Sequence, residues 1–260
     1  MHTEVRPYSV LASGYDEVMD HVDYRSWAKY IQSLFELHGG LPGSLVELGC
    51  GTGAFSFAFS KYCKGRYLAT DGSLDMLAVA REKVHEEHGI VEFEHLQFED
   101  LDLSEDFDAA ILLYDGLNYL TEIEQIEQLL VSIQRILRPG GLFIFDQATR
   151  ANSLNNQSFF EDSGTCGAFS YIRRNSYDPE VHLHETIFEL DTGKTQYLER
   201  HVQRAYLFTE IQDILNASPL EIEAAYGDFS FMLADEKAER IHWVVRNRTH
   251  SAISMGRHEA

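Results

Sequence analysis

Ser44-Leu45-Val46-Glu47-Leu48-Gly49-Cys50-Gly51-Thr52-Gly53-Ala54-Phe55-Ser56 decides which fold this chain adopts. Leu45, Val46 and Leu48 read as a short buried strand, and the glycines that follow mark a sharp turn. Ala54, Phe55 and Ser56 then open a helix that runs toward Tyr62. A strand, a glycine-rich turn and a helix in that order make a nucleotide-type cradle, because glycine lets the backbone approach a ligand that a Cβ would exclude. A dinucleotide site requires G-x-G-x-x-G aimed at a pyrophosphate. Here Gly49, Gly51 and Gly53 alternate, and Glu47 precedes them inside the strand.

Working outward, 260 residues with 44% hydrophobic content suit one α/β domain with an elaboration. The formal net charge of −21 makes the average surface repel phosphate backbones and anionic membranes, so neither nucleic acid nor a membrane is expected as a partner. Three cysteines, Cys50, Cys63 and Cys166, are odd in number and lack metal-type spacing, as in a reducing compartment. No apolar run approaches the roughly 20 residues that span a bilayer, and no basic-then-apolar leader opens the sequence. A cytoplasmic location is the expectation.

Downstream of the turn, residues 66–70 read as a second strand with Asp71 at its C-terminal end, about 20 residues past the glycines, where a carboxylate can accept from ribose hydroxyls. Ser73 is placed to cap the next helix, with Leu74, Leu77, Ala78 and Val84 toward the sheet. A third strand over 91–96 ends at Gln97-Phe98, and a fourth over 109–113 is apolar throughout, as a strand covered on both faces should be. The fourth strand empties into Tyr114-Asp115-Gly116-Leu117-Asn118-Tyr119-Leu120, at the strand end where open α/β sheets bind ligands. Thr121 with Glu124 suggests a capping box for a helix that Arg138-Pro139-Gly140-Gly141 stops before a fifth strand over 142–146. Upstream, Trp27, Tyr30, Ile31, Leu34 and His38 recur at helical spacing, ended by Gly39 and Gly40.

Beyond Arg150 the pattern changes to alternation. Segments 165–174, 181–190 and 196–206 carry many aromatic and β-branched residues, with Asp191-Thr192-Gly193-Lys194 as a hairpin turn, so an antiparallel sheet is expected. In the last of these strands, alternation puts Arg200, Val202, Arg204 and Tyr206 on one face and Glu199, His201 and Gln203 on the other. His182 and His184 precede Glu185 without a third spaced ligand, so no metal site is expected.

The E-x-G-x-G-x-G turn resembles motif I of the class I S-adenosylmethionine-dependent methyltransferases, and further features agree in order. Asp71-Gly72-Ser73-Leu74-Asp75-Met76-Leu77 resembles the family's post-ribose signature, and Leu137-Arg138-Pro139-Gly140-Gly141 its turn into the fifth strand. Asp115 through Leu120 is similar to the D-x-x-N-Y-L turn of a branch related to glycine and sugar-amine N-methyltransferases. The resemblance spans roughly residues 15–146 and implies an α/β, Rossmann-like, doubly wound sheet, mostly parallel with a terminal antiparallel strand pair, plus the inserted antiparallel β-sheet. It divides the chain into a helical lid over 1–40, a cofactor-binding core over 41–150, an inserted substrate-covering sheet over 151–207, a helix and strand pair over 208–250 that complete the core, and a tail over 251–260.

The implied cofactor is S-adenosyl-L-methionine, with S-adenosyl-L-homocysteine as product, and the implied partner a small-molecule methyl acceptor, an amine or a hydroxyl. On the resemblance, Glu47, Gly49, Cys50, Gly51 and Gly53 flank the methionine part, Asp71 and Gly72 the ribose, and Met76, Gln97 and Phe98 the adenine, Gln97 departing from the usual Asp and Asp100 competing for that place if the loop is shifted. Tyr15, Trp27 and Tyr114 close the cofactor site; Asp115, Asn118, Tyr119, Tyr171, Arg204 and Tyr206 are candidates for the acceptor; and Asp115, His201 and Tyr15 for its orientation or deprotonation. An NAD-dependent oxidoreductase would share the strand, turn and ribose acid, and a protein that holds S-adenosylmethionine without turnover would share them all.

Overall fold

The computed structural model describes residues 2–87, 90–103, 106–155 and 161–248; the expected tail lies outside them. In chain order the elements are β1 (Thr3–Val5), α1 (Tyr15–Val18), α2 (Tyr24–Leu37), β2 (Leu45–Leu48), α3 (Ala54–Phe59), β3 (Tyr67–Asp71), α4 (Leu74–Glu87), β4 (Val91–His95) and β5 (Phe107–Leu112). There follow α5 (Ile123–Ile136), β6 (Leu137–Ala148), α6 (Arg150–Asn155), β7 (Glu161–Thr165), β8 (Ser170–Asp178), β9 (Leu183–Asp191), β10 (Gln196–Arg204), α7 (Phe208–Ala217), β11 (Leu220–Gly227) and β12 (Arg240–Asn247).

Seven strands form one sheet in the order β11-β12-β6-β5-β2-β3-β4. The run from β6 to β4 is parallel, and β12 pairs antiparallel with both β6 and β11. Every residue of β2 is buried, which follows from apolar cover on both faces. On one face Val46, Leu48, Ala110 and Phe143 meet Leu130 and Ile133 of α5 and Leu215 of α7. On the other, Leu45, Ala109 and Ile111 meet Ile31 and Leu34 of α2 and Phe55 and Phe59 of α3. The order reverses beside β2, so its carboxyl end opens at the switch point where such sheets bind ligands.

The second sheet has the order β1-β10-β9-β8-β7. Its hairpins are antiparallel, whereas β1 adds to β10 in parallel, Thr3 opposite Tyr197 and Val5 opposite Glu199. A small third cluster of Leu11, Val18, Phe169, Phe188 and Leu190 joins this sheet to the segment that follows β1.

Local details depart from the sequence reading. On α4 the buried residues are Met76, Leu77 and Ala80, while Leu74 is 59% exposed, because Ser73 as cap fixes the helical phase. At α5 the Gln125 side chain, not Glu124, accepts from the Glu122 backbone N–H at 3.1 Å. At α7 Glu210 accepts from the Leu207 N–H at 2.8 Å.

Candidate active site

A cavity of about 620 Å³ lies over the carboxyl ends of β2 and β3, within the roughly 300–1,000 Å³ typical of small-ligand sites. Its floor is the glycine bend. Gly49 and Gly51 have φ of +65° and +56°, a region L side chains rarely enter. A Cβ built on Gly51 meets no protein atom within 4 Å, so it projects into the cavity. Gly53 (φ +76°) differs: its added Cβ would lie 2.9 Å from the Phe93 ring, so that glycine serves helix packing at the start of α3.

Asp71 fastens this floor. Its two oxygens accept from the backbone N–H groups of Gly51, at 2.8 Å, and Ser73, at 2.7 Å. Burial raises its pKa, and those two N–H bonds oppose the rise. Ser73 in turn caps α4 through its Oγ, which accepts from Met76 N–H at 3.2 Å. Glu47 Oε2 accepts from Ser56 and Tyr67 hydroxyls, both at 2.6 Å. Burial pushes its carboxyl up to about 7 despite these two bonds.

One wall is aromatic: Tyr15, Tyr24, Trp27 and Tyr114 face the cavity, with Trp27 and Tyr114 ring centres 5.4 Å apart. Asp16 ties this wall to the bend by accepting from the Thr52 hydroxyl at 2.5 Å and pairing with Lys83. The opposite rim carries Met76, His95, Gln97 and Phe98. Gln97 donates to the Gly72 carbonyl at 3.1 Å, and its amide oxygen would lie 2.5 Å from a Cβ on Gly72, so a side chain there would displace Gln97.

The roof is the segment after β1, Arg6 to Ser9, together with Tyr119. Glu199 of β10 holds this segment: its carboxylate accepts from the backbone N–H groups of Tyr8, Val10 and Leu11 at 2.7, 2.6 and 2.9 Å. The Tyr8 hydroxyl bonds the Tyr119 hydroxyl at 2.5 Å, and Tyr119 bonds His201 Nδ1 at 3.0 Å. Nothing in the sequence signalled the reach from Tyr8 to Glu199. The alternation in β10 did place Glu199 and His201 on a common face, and both are buried there.

Of the residues singled out in the sequence, Tyr15, Trp27, Glu47, Gly49, Cys50, Gly51, Asp71, Gly72, Met76, Gln97, Phe98, Tyr114 and Tyr119 line this cavity. Others stand behind it. Asp115 (φ +64°) binds Arg240 at 2.5 Å, and Arg240 also pairs with the fully buried Asp146 beneath the Trp27 and Tyr114 rings. Burial pushes the Asp146 carboxyl up, with Arg240 opposing. Asn118 spends its amide on backbone, donating to the Ala148 and Arg204 carbonyls at 2.9 and 2.7 Å and accepting from Ala148 N–H at 3.0 Å. Arg204 pairs with Glu210, Tyr206 donates to the Leu120 carbonyl, and Tyr171 packs in the third apolar cluster. Polar residue type alone did not reveal these partners within the chain. Among the described residues no group of His, Cys, Asp and Glu is arranged to hold a metal, and no helix is long and apolar enough to cross a membrane.

Residues 45–141 match the family of methyltransferase domains. A Bacillus subtilis protein described as a methyltransferase, YqeM, is 27% identical over 90% of this chain and 94% of its own length. The crystal structure of an S-adenosylmethionine-dependent methyltransferase from Clostridium acetobutylicum superposes with a TM-score of 0.76 at 22% identity, covering 90% of this chain and 96% of that one. The sugar N-methyltransferase KedS8 of Streptoalloteichus reaches 0.68 at 16% identity, covering 90% and 93%. At such identities these two structures bear on the fold. Residues 45–141 thus carry a methyltransferase domain, and the strand order with the cradle at its switch point is the fold of the solved S-adenosylmethionine-dependent methyltransferases that the chain resembles.

Proposed function

We propose that the chain binds S-adenosylmethionine in the cavity over β2 and β3 and passes its methyl group to a small-molecule amine or hydroxyl. The observation that carries this is the Gly51 position: a side chain there would enter the cavity, while its N–H is fixed by the carboxylate suited to a ribose. Asp71 uses one lone pair per oxygen on backbone N–H groups and keeps acceptor capacity for sugar hydroxyls. Gln97 offers an amide oxygen to an adenine amino group, with Phe98 and Met76 as apolar flanks. Glu47 and the bend border the methionine part.

The sulfonium, when bound, supplies an electrophilic methyl carbon, so the protein's task is alignment and exclusion of water. Tyr15, Trp27 and Tyr114 line the cavity with aromatic rings, whose π-systems suit a cation, and the segment Arg6 to Ser9 covers the acceptor side. The sugar N-methyltransferase neighbour favours a small acceptor of that general kind. The test is thermal unfolding with S-adenosylhomocysteine and with NAD, followed by methyl transfer to amines, phenols and sugars. Stabilisation by the former alone, with transfer to one of these acceptors, is expected. Stabilisation by NAD alone would point to the oxidoreductase, and binding without transfer to a sensor.

A further inference from the structure

Two tyrosine hydroxyls on the cavity wall lead inward to a buried histidine and carboxylate. Tyr8 and Tyr119 line the cavity, and the chain of bonds runs Tyr8 hydroxyl to Tyr119 hydroxyl at 2.5 Å, then Tyr119 to His201 Nδ1 at 3.0 Å. His201 is 3% exposed, and its Nε2 has no hydrogen-bond partner among the described residues; it stands 3.5 Å from Glu199 Oε2. Either group can donate in the Tyr119–His201 contact; when Tyr119 donates to Nδ1, the proton of a neutral His201 sits on Nε2, on the Glu199 side. Burial pushes the Glu199 carboxyl up, but the adjacent His201 ring and the three backbone N–H donors outweigh it and hold the pKa below the usual range. Burial raises the pKa of both tyrosines, so neither is a base unless its own proton has somewhere to go.

We propose that Tyr8, Tyr119, His201 and Glu199 form a proton-accepting chain that takes the proton from the methyl acceptor, which is therefore a nucleophile that reaches the cavity as a protonated amine or a hydroxyl. The inference rests on the function proposed above. As the acceptor's N–H or O–H bond breaks, its proton passes to the Tyr119 oxygen, directly or through Tyr8, while the Tyr119 proton moves to His201 Nδ1. The bonding pair left on the acceptor forms the new bond to carbon, and the carbon–sulfur pair stays on sulfur. His201 becomes an imidazolium against the Glu199 carboxylate, which removes the penalty a lone buried charge would carry. After product leaves, the same bonds return the proton to the cavity and water.

Tyr119 is the residue that meets the acceptor, and His201 and Glu199 act through it. The ionisable groups around the chain are Tyr15 and Asp71 across the cavity and Asp115 behind it, besides the four members themselves; Phe188 closes the remaining side of His201. Asp115 is committed to Arg240, and Asp71 to Gly51 and Ser73. Glu47 lies at the bend, bound to Ser56 and Tyr67. The roof chain is thus the described cavity-wall group with an open path for a proton.

Nitrogen-15 NMR of histidine-labelled protein, with and without S-adenosylhomocysteine, reads the chain without turnover. The His201 signals, identified by their loss in His201→Gln, are expected to show a protonated Nε2 and a hydrogen-bonded, unprotonated Nδ1 whose resonance moves in Tyr119→Phe. A protonated Nδ1, or a resonance indifferent to Tyr119→Phe, overturns the proposal. With benzylamine and tyramine as acceptors, His201→Gln and Tyr119→Phe are expected to lower kcat about 10²-fold or more, with the deficit shrinking as pH rises and S-adenosylhomocysteine affinity unchanged. Wild-type rates and pH profiles in both variants overturn it equally. Failure of the wild type to bind S-adenosylhomocysteine would count against the proposed function instead, since the NMR signature does not depend on it.

Discussion

Substituting alanine at Gly51 and, as a control, at Gly140 separates ligand space from backbone strain. Both glycines have positive φ, +56° and +82°, and a Cβ on either meets no protein atom within 4 Å. Each substitution therefore incurs the left-handed penalty of about 1–2 kcal/mol. For a chain of this size that lowers the melting temperature by roughly 2–8 °C. Only Gly51 borders the cavity. A methyl group forced into a filled site costs about 1–3 kcal/mol, a factor of roughly 5–150 in Kd. S-adenosylhomocysteine at about 100 times its wild-type Kd adds about 2.7 kcal/mol, or roughly 5–11 °C. Differential scanning fluorimetry is expected to show that increment intact in Gly140→Ala, reduced in Gly51→Ala and absent in Gly51→Val. A full ligand increment in Gly51→Val would mean that the bend does not face the ligand.

Asp71→Ala is expected to abolish the S-adenosylhomocysteine increment and also to lower stability by about 1–3 kcal/mol for each N–H it strands, read by urea unfolding. Arg240→Met leaves the carboxylates of Asp115 and buried Asp146 unpaired, so a loss of about 3–5 kcal/mol is expected, partly recovered in Arg240→Met/Asp146→Asn; no recovery in the double variant would discount the charge argument. Glu47 has its folded pKa raised by burial from 4.5 to about 7. Its contribution is thus fully present below the unfolded value near 4.5 and lost as pH rises through 7. Glu47→Gln should match the wild type near pH 4 and exceed it by an amount on the order of 3 kcal/mol above pH 7, and a constant difference across that window would refute this.

The core and its cradle were legible because their causes are local. Alternate glycines after Leu45-Val46-Glu47-Leu48 announced a backbone that only glycine adopts easily, and the unbroken apolar run of β5 announced a strand covered on both faces. The alternation in β10 also put Glu199 and His201 on the same buried face. What the sequence hid was long-range. β1 is three residues long, and its partner lies more than 190 positions away. The commitments of Asp115, Asn118 and Arg204 were invisible for the same reason, since Arg240, the Ala148 carbonyl and Glu210 become their partners only in the folded chain. Tyr8 belongs to no motif, and its hydroxyl and its N–H are claimed by residues 111 and 191 positions on.

The clasp between Glu199 and the backbone at Tyr8, Val10 and Leu11 sets the order in which the molecule can be completed. Closing a loop of about 190 residues carries an entropic penalty of roughly 5 kcal/mol, a cost comparable to what three hydrogen bonds to a carboxylate return. A ribosome that has released the first 150 residues has already delivered the glycine bend and Asp71, but the growing polypeptide has no strand on which to lay its own beginning. The glycine bend and Asp71 are thus made long before Glu199, and the roofed chamber, with its tyrosines in line, requires a chain that has reached β10.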